Sequence, residues 1–258
     1  MISSGFIGGG RVTKILLNGL KKAGIELNNV LVYDTSSDAL KELNKEFPEI
    51  KTVSNNVNML AASQDMIYLA VHPPAVVSVL KEIKSDLNQD AIVISLAPKP
   101  KMEQISSLLG GFTRIVRMIP NAPSIINEGY NPISFAPEIS DSEKKEILDL
   151  FNVLGVTPEV DEDNLEAYAV LTAMGPTYFW FQFNELSKLG SSFGLEDKEI
   201  QDSLPKMIMG AAQTFYQSKL SPEEVMDLIP VKPMGEEEEK IKKSYQARLE
   251  AIFQQLKG

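Results

Sequence analysis

Along the first part of the chain, short apolar runs alternate with stretches in which apolar residues recur every three or four positions. Val30-Leu31-Val32-Tyr33, Met66-Ile67-Tyr68-Leu69-Ala70-Val71 and Ala91-Ile92-Val93-Ile94 are near-continuous runs, as expected of parallel strands covered on both faces. With the run ending at Ile7 and shorter ones at 51–54 and 114–119, they predict six strands. Between them, residues 12–20, 37–47, 57–62, 75–83 and 102–109 keep the helical period. Val12, Ile15, Leu16 and Leu20 form one such set; Ala39, Leu40, Leu43 and Phe47 form another. Ser36 or Ser37 is the expected cap of the second helix. Two further strands, at 131–135 and 156–160, flank a helix at 142–154. Strands alternating with helices predict an α/β fold with a doubly wound, mostly parallel sheet, Rossmann-like in plan.

From about Asp161 the rhythm changes, and no strand-like run follows. Helices are expected at 162–192, interrupted by Gly175-Pro176, and at 196–217, 222–228 and 235–256. The chain therefore divides into residues 1–160 and an all-helical domain over 161–258. The helix at 196–217 is apolar on much of its surface (Ile200, Leu204, Met207, Ile208, Ala211, Ala212, Phe215). Such a helix must be covered, and an isologous homodimer through this domain is the economical cover.

The candidate chemistry begins where the first strand meets Gly8-Gly9-Gly10-Arg11-Val12-Thr13. Gly8 allows a tight turn, Gly10 lets a pyrophosphate approach the backbone, and the following helix offers free N–H groups at its N-terminus. Thr13 occupies the third glycine position, which asks only for a small residue. Arg11 at that helix start suits a bound anion. Asp34 ends the next strand about twenty residues on, where an acid can bond a ribose. It also repels a 2′-phosphate, so NAD is favoured over NADP, with Ser36, Ser37 and Lys41 left as a possible phosphate cradle. Ligands of such sheets lie beyond the carboxyl ends of the strands. The expected cofactor-lining set is thus Gly8, Gly9, Gly10, Arg11, Val12, Asp34, Ala70, Val71, His72, Pro73, Ala97, Pro120 and Asn121.

Composition narrows the classes. The chain of 258 residues has no cysteine and one histidine, His72. That inventory excludes a disulfide framework, a cysteine nucleophile and a multi-histidine zinc site; no metal site is expected. A net charge of −10 without a basic run argues against nucleic acid. No apolar stretch is long enough to span a membrane, and a cytoplasmic protein is expected.

Three stretches, Gly5-Phe6-Ile7-Gly8-Gly9-Gly10, Met118-Ile119-Pro120-Asn121-Ala122-Pro123 and Gly175-Pro176-Thr177-Tyr178, resemble the GFIGxG, MPNxP and SGSGPAY motifs of pyrroline-5-carboxylate reductases. Ala70-Val71-His72-Pro73 is similar to that family's AVKP loop, and Pro233-Met234-Gly235-Glu236-Glu237 falls where its PGGTT loop would be. The order holds over nearly the whole chain. The resemblance implies a helical dimerisation domain and hydride transfer from NADH or NADPH to a cyclic imine carbon. It implies substrate contacts at Asn121, Met174, Gly175, Pro176 and Glu237, and a proton supplied or stabilised by Tyr178, Thr172 or water; His72 is a further candidate acid. The departures lie in the substrate half: the family's serines are replaced in Thr172-Ala173-Met174, and two acids occupy the Gly-Gly-Thr-Thr loop. Two alternatives stay open. One is a hydroxyacid dehydrogenase of the same plan acting on a carbonyl, whose lysine is matched no nearer than Lys188. The other is a dinucleotide-binding sensor without catalysis.

Overall fold

The computed structural model describes residues 3–258 and, within them, every side chain except those of Asn58, Ala61, Ala62 and Pro73. Six parallel strands carry the sheet: β1 (Ser4–Ile7), β2 (Val30–Tyr33), β3 (Lys51–Val53), β4 (Met66–Leu69), β5 (Ile92–Ser95) and β6 (Ile115–Met118). The helices between them are α1 (Arg11–Lys22), α2 (Ser37–Glu46), α3 (Val57–Ser63), α4 (Pro73–Ile83) and α5 (Met102–Leu108). Then come β7 (Gly129–Tyr130), β8 (Ile133–Phe135), α6 (Asp141–Asn152) and β9 (Gly155–Val156). The main sheet runs β3-β2-β1-β4-β5-β6-β8, with β8 antiparallel. This is the Rossmann-like, doubly wound fold expected from the alternation.

Alternation within each strand builds two cores. Phe6, Val32, Tyr68, Ile94 and Met118 face Leu16, Leu17, Leu43 and Phe151. Ile7, Leu31, Ile67, Leu69 and Val93 face Leu60, Val76, Leu80 and Ile105. Both faces are therefore covered, as a parallel sheet requires. The rings of Phe6 and Tyr68, partners in the β1–β4 register, stack at 4.2 Å.

The expected strands at 131–135 and 156–160 are shorter than the pattern suggests. β8 starts only after Pro132, and β9 stops before Pro158, since proline brings no N–H to a ladder. β9 instead pairs with β7 in a separate two-stranded sheet, and an isolated bridge joins Ile133 to Glu159.

The chain forms two compact units: residues up to Met174 with Gln255–Gly258, and Gly175–Gln254. The division lies beyond residue 160 because α7 (Leu165–Tyr168) and a π-helical turn (Ala169–Ala173) belong to the first unit. There Leu165 and Ala169 are buried with Ile119. The second unit holds α8 (Thr177–Ser192), α9 (Asp197–Gln217), α10 (Pro222–Asp227) and most of α11 (Glu238–Lys257). Among the described residues of these four helices, only Gly190 and Ile200 are buried. Phe179, Trp180, Phe181, Phe193, Met207 and Met209 are exposed. No described helix is long and apolar enough to cross a membrane.

Candidate functional site

β1 lies between β2 and β4, so the chain leaves it in one direction and returns on the other side. The crevice this opens at the carboxyl edge is where doubly wound sheets hold ligands. Here it is a groove of about 660 Å³, walled by Gly8, Gly10, Arg11 and Val12, by Asp34 and Ser36, by Ala70, Val71 and His72, and by Leu96, Ala97 and Pro98.

The glycine turn divides into a structural and an open position. Gly8 has φ +114°, and a Cβ there would stand 2.6 Å from the Ala70 carbonyl oxygen. No side chain fits. Gly10 has ordinary extended backbone, and a Cβ there would meet nothing within 4 Å. The fold does not need that glycine; an approaching ligand would. Thr13 is fully buried and donates its hydroxyl to the Gly8 carbonyl at 2.5 Å, so its role exceeds that of a small packing residue. α1 has no side-chain cap and no acid in its first turn, which leaves its N-terminal N–H groups for an anion.

Asp34 is engaged twice. Gly9 N–H donates to Oδ2 at 2.7 Å and Ser36 N–H donates to Oδ1 at 2.8 Å. It thus ties the glycine turn to the start of α2, and each oxygen keeps a lone pair for a further donor. Ser36 is the cap of α2, accepting from Ala39 N–H at 3.2 Å.

His72 is exposed at the start of α4 and makes no side-chain cap bond. Pro73 opens α4, and its side chain lies outside the described ones. Pro120 and Asn121 follow β6 and are not among the groove's lining residues. Asn121 is 8 % exposed; its Oδ1 accepts from Tyr130 N–H at 3.1 Å, and its own N–H donates to Asn131 Oδ1 at 3.1 Å. The carboxamide oxygen is spent on the backbone, so the amide nitrogen is the group left to donate.

Thr172 sits in the π-helical turn and donates its hydroxyl to Tyr168 O at 2.8 Å, which leaves it an acceptor. Met174 ends the same unit. Gly175, Pro176, Tyr178 and Glu237 belong to the second unit. There Gly175 O accepts from Tyr178 N–H at 2.9 Å, and the break before α8 falls where Gly175-Pro176 put it. The Tyr178 ring meets Tyr245 edge to face at 5.8 Å. Burial, and secondarily Tyr245, push its hydroxyl pKa up. Glu237 is half exposed beside Lys240, at 3.6 Å.

Sequence reasoning missed Ala39, Leu69, Ala75 and Leu96 as groove residues. Each reads as core by period, yet each lies at a strand's carboxyl end or in the first turn of the following helix. That position is the signal which could have found them.

The crevice, its glycine turn and the acid after β2 define a Rossmann-type dinucleotide-binding oxidoreductase architecture. Residues 3–99 match the family model described as NADP oxidoreductase, coenzyme F420-dependent. The pyrroline-5-carboxylate reductase of Escherichia coli (strain K12) is 25 % identical over 87 % of this chain and 83 % of its own length. That of Methanosarcina acetivorans is 26 % identical over 96 % and 92 %. Among solved structures, the Plasmodium falciparum pyrroline carboxylate reductase with NADP bound superposes with a TM-score of 0.83 at 24 % identity, covering 99 % of this chain and 97 % of that one. The Coxiella burnetii pyrroline-5-carboxylate reductase gives 0.71 at 26 %, covering 99 % and 94 %. Over nearly its whole length the chain is thus similar to pyrroline-5-carboxylate reductases.

Proposed function

We propose that the protein uses a reduced nicotinamide dinucleotide to reduce the C=N bond of a small cyclic imine, pyrroline-5-carboxylate or a close analogue. The observation that carries this reading is the open Gly10 position at the mouth of the switch-point groove, in a chain similar over nearly its whole length to reductases of that imine. The residues present fit the cofactor. The turn at Gly8, Gly9 and Gly10, with Arg11 and Val12, would hold the pyrophosphate, and the free lone pairs of Asp34 would accept from ribose hydroxyls. Ala70, Val71, His72 and Ala97 would line the remainder, while Pro120 and Asn121 lie outside the groove's lining. When bound, the reduced nicotinamide supplies the hydride.

Asp34 favours NADH over NADPH, because its carboxylate opposes a 2′-phosphate and the nearby Lys41 is already paired with Asp38 at 3.0 Å. Reduction of an imine also needs a proton on nitrogen. Thr172 has committed its proton to Tyr168 O; Tyr178, whose raised pKa keeps it protonated at neutral pH, is the proposed donor. Asn121 and Met174 in the first unit, and Gly175, Pro176 and Glu237 in the second, are the substrate-contact candidates, each within its own unit, with Glu237 suited to a cationic iminium. The hydroxyacid dehydrogenase alternative loses ground, since Lys188 is exposed and paired with Glu185 at 3.4 Å.

The helical unit makes the working form a homodimer. Its apolar side chains are exposed along α8 and α9, and a second copy of the chain is the economical cover for them. Light scattering on the purified protein checks this; a monomer at micromolar concentration rules it out.

The deciding assay follows loss of reduced nicotinamide absorbance with pyrroline-5-carboxylate, NADH and NADPH run in parallel. Turnover, faster with NADH, supports the reading. Tight cofactor binding without turnover across a panel of imines and ketones leaves the non-catalytic sensor in its place.

A further inference from the structure

Arg117 stands inside β6 with none of its surface exposed, on the face that Ile115 gives to the second core. A guanidinium keeps its charge at all working pH values, so burying it demands partners. Its Nη2 donates to the Pro98 carbonyl at 2.5 Å and to Glu166 Oε1 at 3.0 Å; its Nη1 donates to Glu162 Oε1 at 2.7 Å. Glu166 is 1 % exposed. The loop from β5 to α5 is tied further: Met102 N–H donates to Glu162 Oε1, Lys101 pairs with Asp163, and Lys99 donates to Gln255 O. Ala97 and Pro98, early in that loop, are part of a wall of the groove.

The cluster is poorly made for stability alone. One arginine meets two carboxylates. Arg117 Nε, Glu166 Oε2 and Ser95 Oγ have no hydrogen-bond partner among the described residues, and Ser95 is Arg117's neighbour in the β5–β6 register. Apolar residues of similar volume commonly stabilise such a place as well or better. What they cannot supply is a donor to the Pro98 carbonyl.

Resting on the reading of the groove as the dinucleotide site, we propose that Arg117 is a positioning residue. Through Pro98 it sets the Ala97-Pro98 wall of the groove, and Glu166 holds the guanidinium from the segment that carries Thr172. The test is the full chain with Arg117→Met and Glu166→Leu together, a pair that removes both buried charges. Three readouts are compared with the parent: thermal unfolding, NADH affinity by fluorescence titration, and amide hydrogen exchange over residues 96–101 without cofactor.

The expected result is an intact cooperative transition, faster exchange over 96–101, and NADH affinity weaker by roughly tenfold, the scale of one lost charge-assisted bond. A folded variant with parental NADH affinity overturns the proposal, whatever its exchange. Should the double variant not fold, Glu166→Gln removes one charge at nearly constant shape and is judged by the same readouts. If the parent itself binds neither NADH nor NADPH, the groove reading fails. Exchange over 96–101 then decides alone whether Arg117 sets that loop: faster supports it and unchanged overturns it.

Discussion

Replacing Gly10 by alanine is expected to weaken dinucleotide binding strongly and leave the fold intact, while the same change at Gly8 destabilises the fold. At Gly10 the new methyl meets nothing within 4 Å and the backbone is extended, so it adds no strain. Alanine is a poorer helix cap than glycine by several tenths of a kcal/mol, and it lowers unfolded-chain entropy by about 0.4–1 kcal/mol. The two nearly cancel, which keeps the net within about 1 kcal/mol, or about 2–4 °C in Tm for a chain of this size. At Gly8 the backbone has φ +114° and the methyl would stand 2.6 Å from the Ala70 carbonyl oxygen. Strain of about 1–3 kcal/mol and overpacking of about 1–3 kcal/mol add to about 2–6 kcal/mol. For binding, a Gly10 methyl holds the pyrophosphate off the helix N-terminus. Losing two charge-assisted hydrogen bonds, about 1.5 kcal/mol or more each, weakens Kd by roughly 100-fold. Circular dichroism melting and NADH fluorescence titration on both variants give all four numbers. Parental NADH affinity in Gly10→Ala would refute the reasoning, because the open position would then face no ligand.

Other outcomes follow from the same geometry. Asp34→Asn keeps one acceptor oxygen but turns its other terminal atom toward an N–H group, so it should loosen the turn by about 1 kcal/mol and shift the NADH-to-NADPH preference toward NADPH, read as a ratio of Kd values. Tyr178→Phe should lower kcat by roughly 10²-fold or more with little change in NADH affinity; an unchanged kcat removes Tyr178 as the proton donor. Hydrogen bonds from the Ser140 hydroxyl first, and from the Arg114 guanidinium second, hold the Glu143 carboxyl down at about 2, below its ordinary 4.5. A depressed folded pKa stabilises the fold above about pH 4.5, and that stability is lost as pH falls toward about 2. Glu143→Gln should therefore melt lower than the parent near pH 6, and the gap should close on acidification; a pH-independent gap contradicts the assignment.

The amino-acid pattern by itself determined the strand–helix alternation, the place of the glycine turn, the acid after β2 and the break at Gly175-Pro176. Each is a local property. A run of β-branched residues, a glycine that permits φ +114°, or a Gly-Pro pair constrains the backbone within a few residues, whatever surrounds it. The shortening of β8 and β9 was not read from the pattern, although Pro132 and Pro158 carried its signal. Tertiary structure alone decided the rest. The groove exists because β1 is flanked by both β2 and β4, and that neighbourhood turns Ala39 and Ala75 from core positions into lining. Asp34 acquires Gly9 as a donor from 25 residues away. Arg117 reads as an interruption of an apolar strand until the fold brings its partners from 19, 45 and 49 residues away. Periodicity says which face a side chain takes; which groups meet there is set by the order in which the strands assemble, because a buried charge is satisfied by neighbours in space and not by neighbours in the chain.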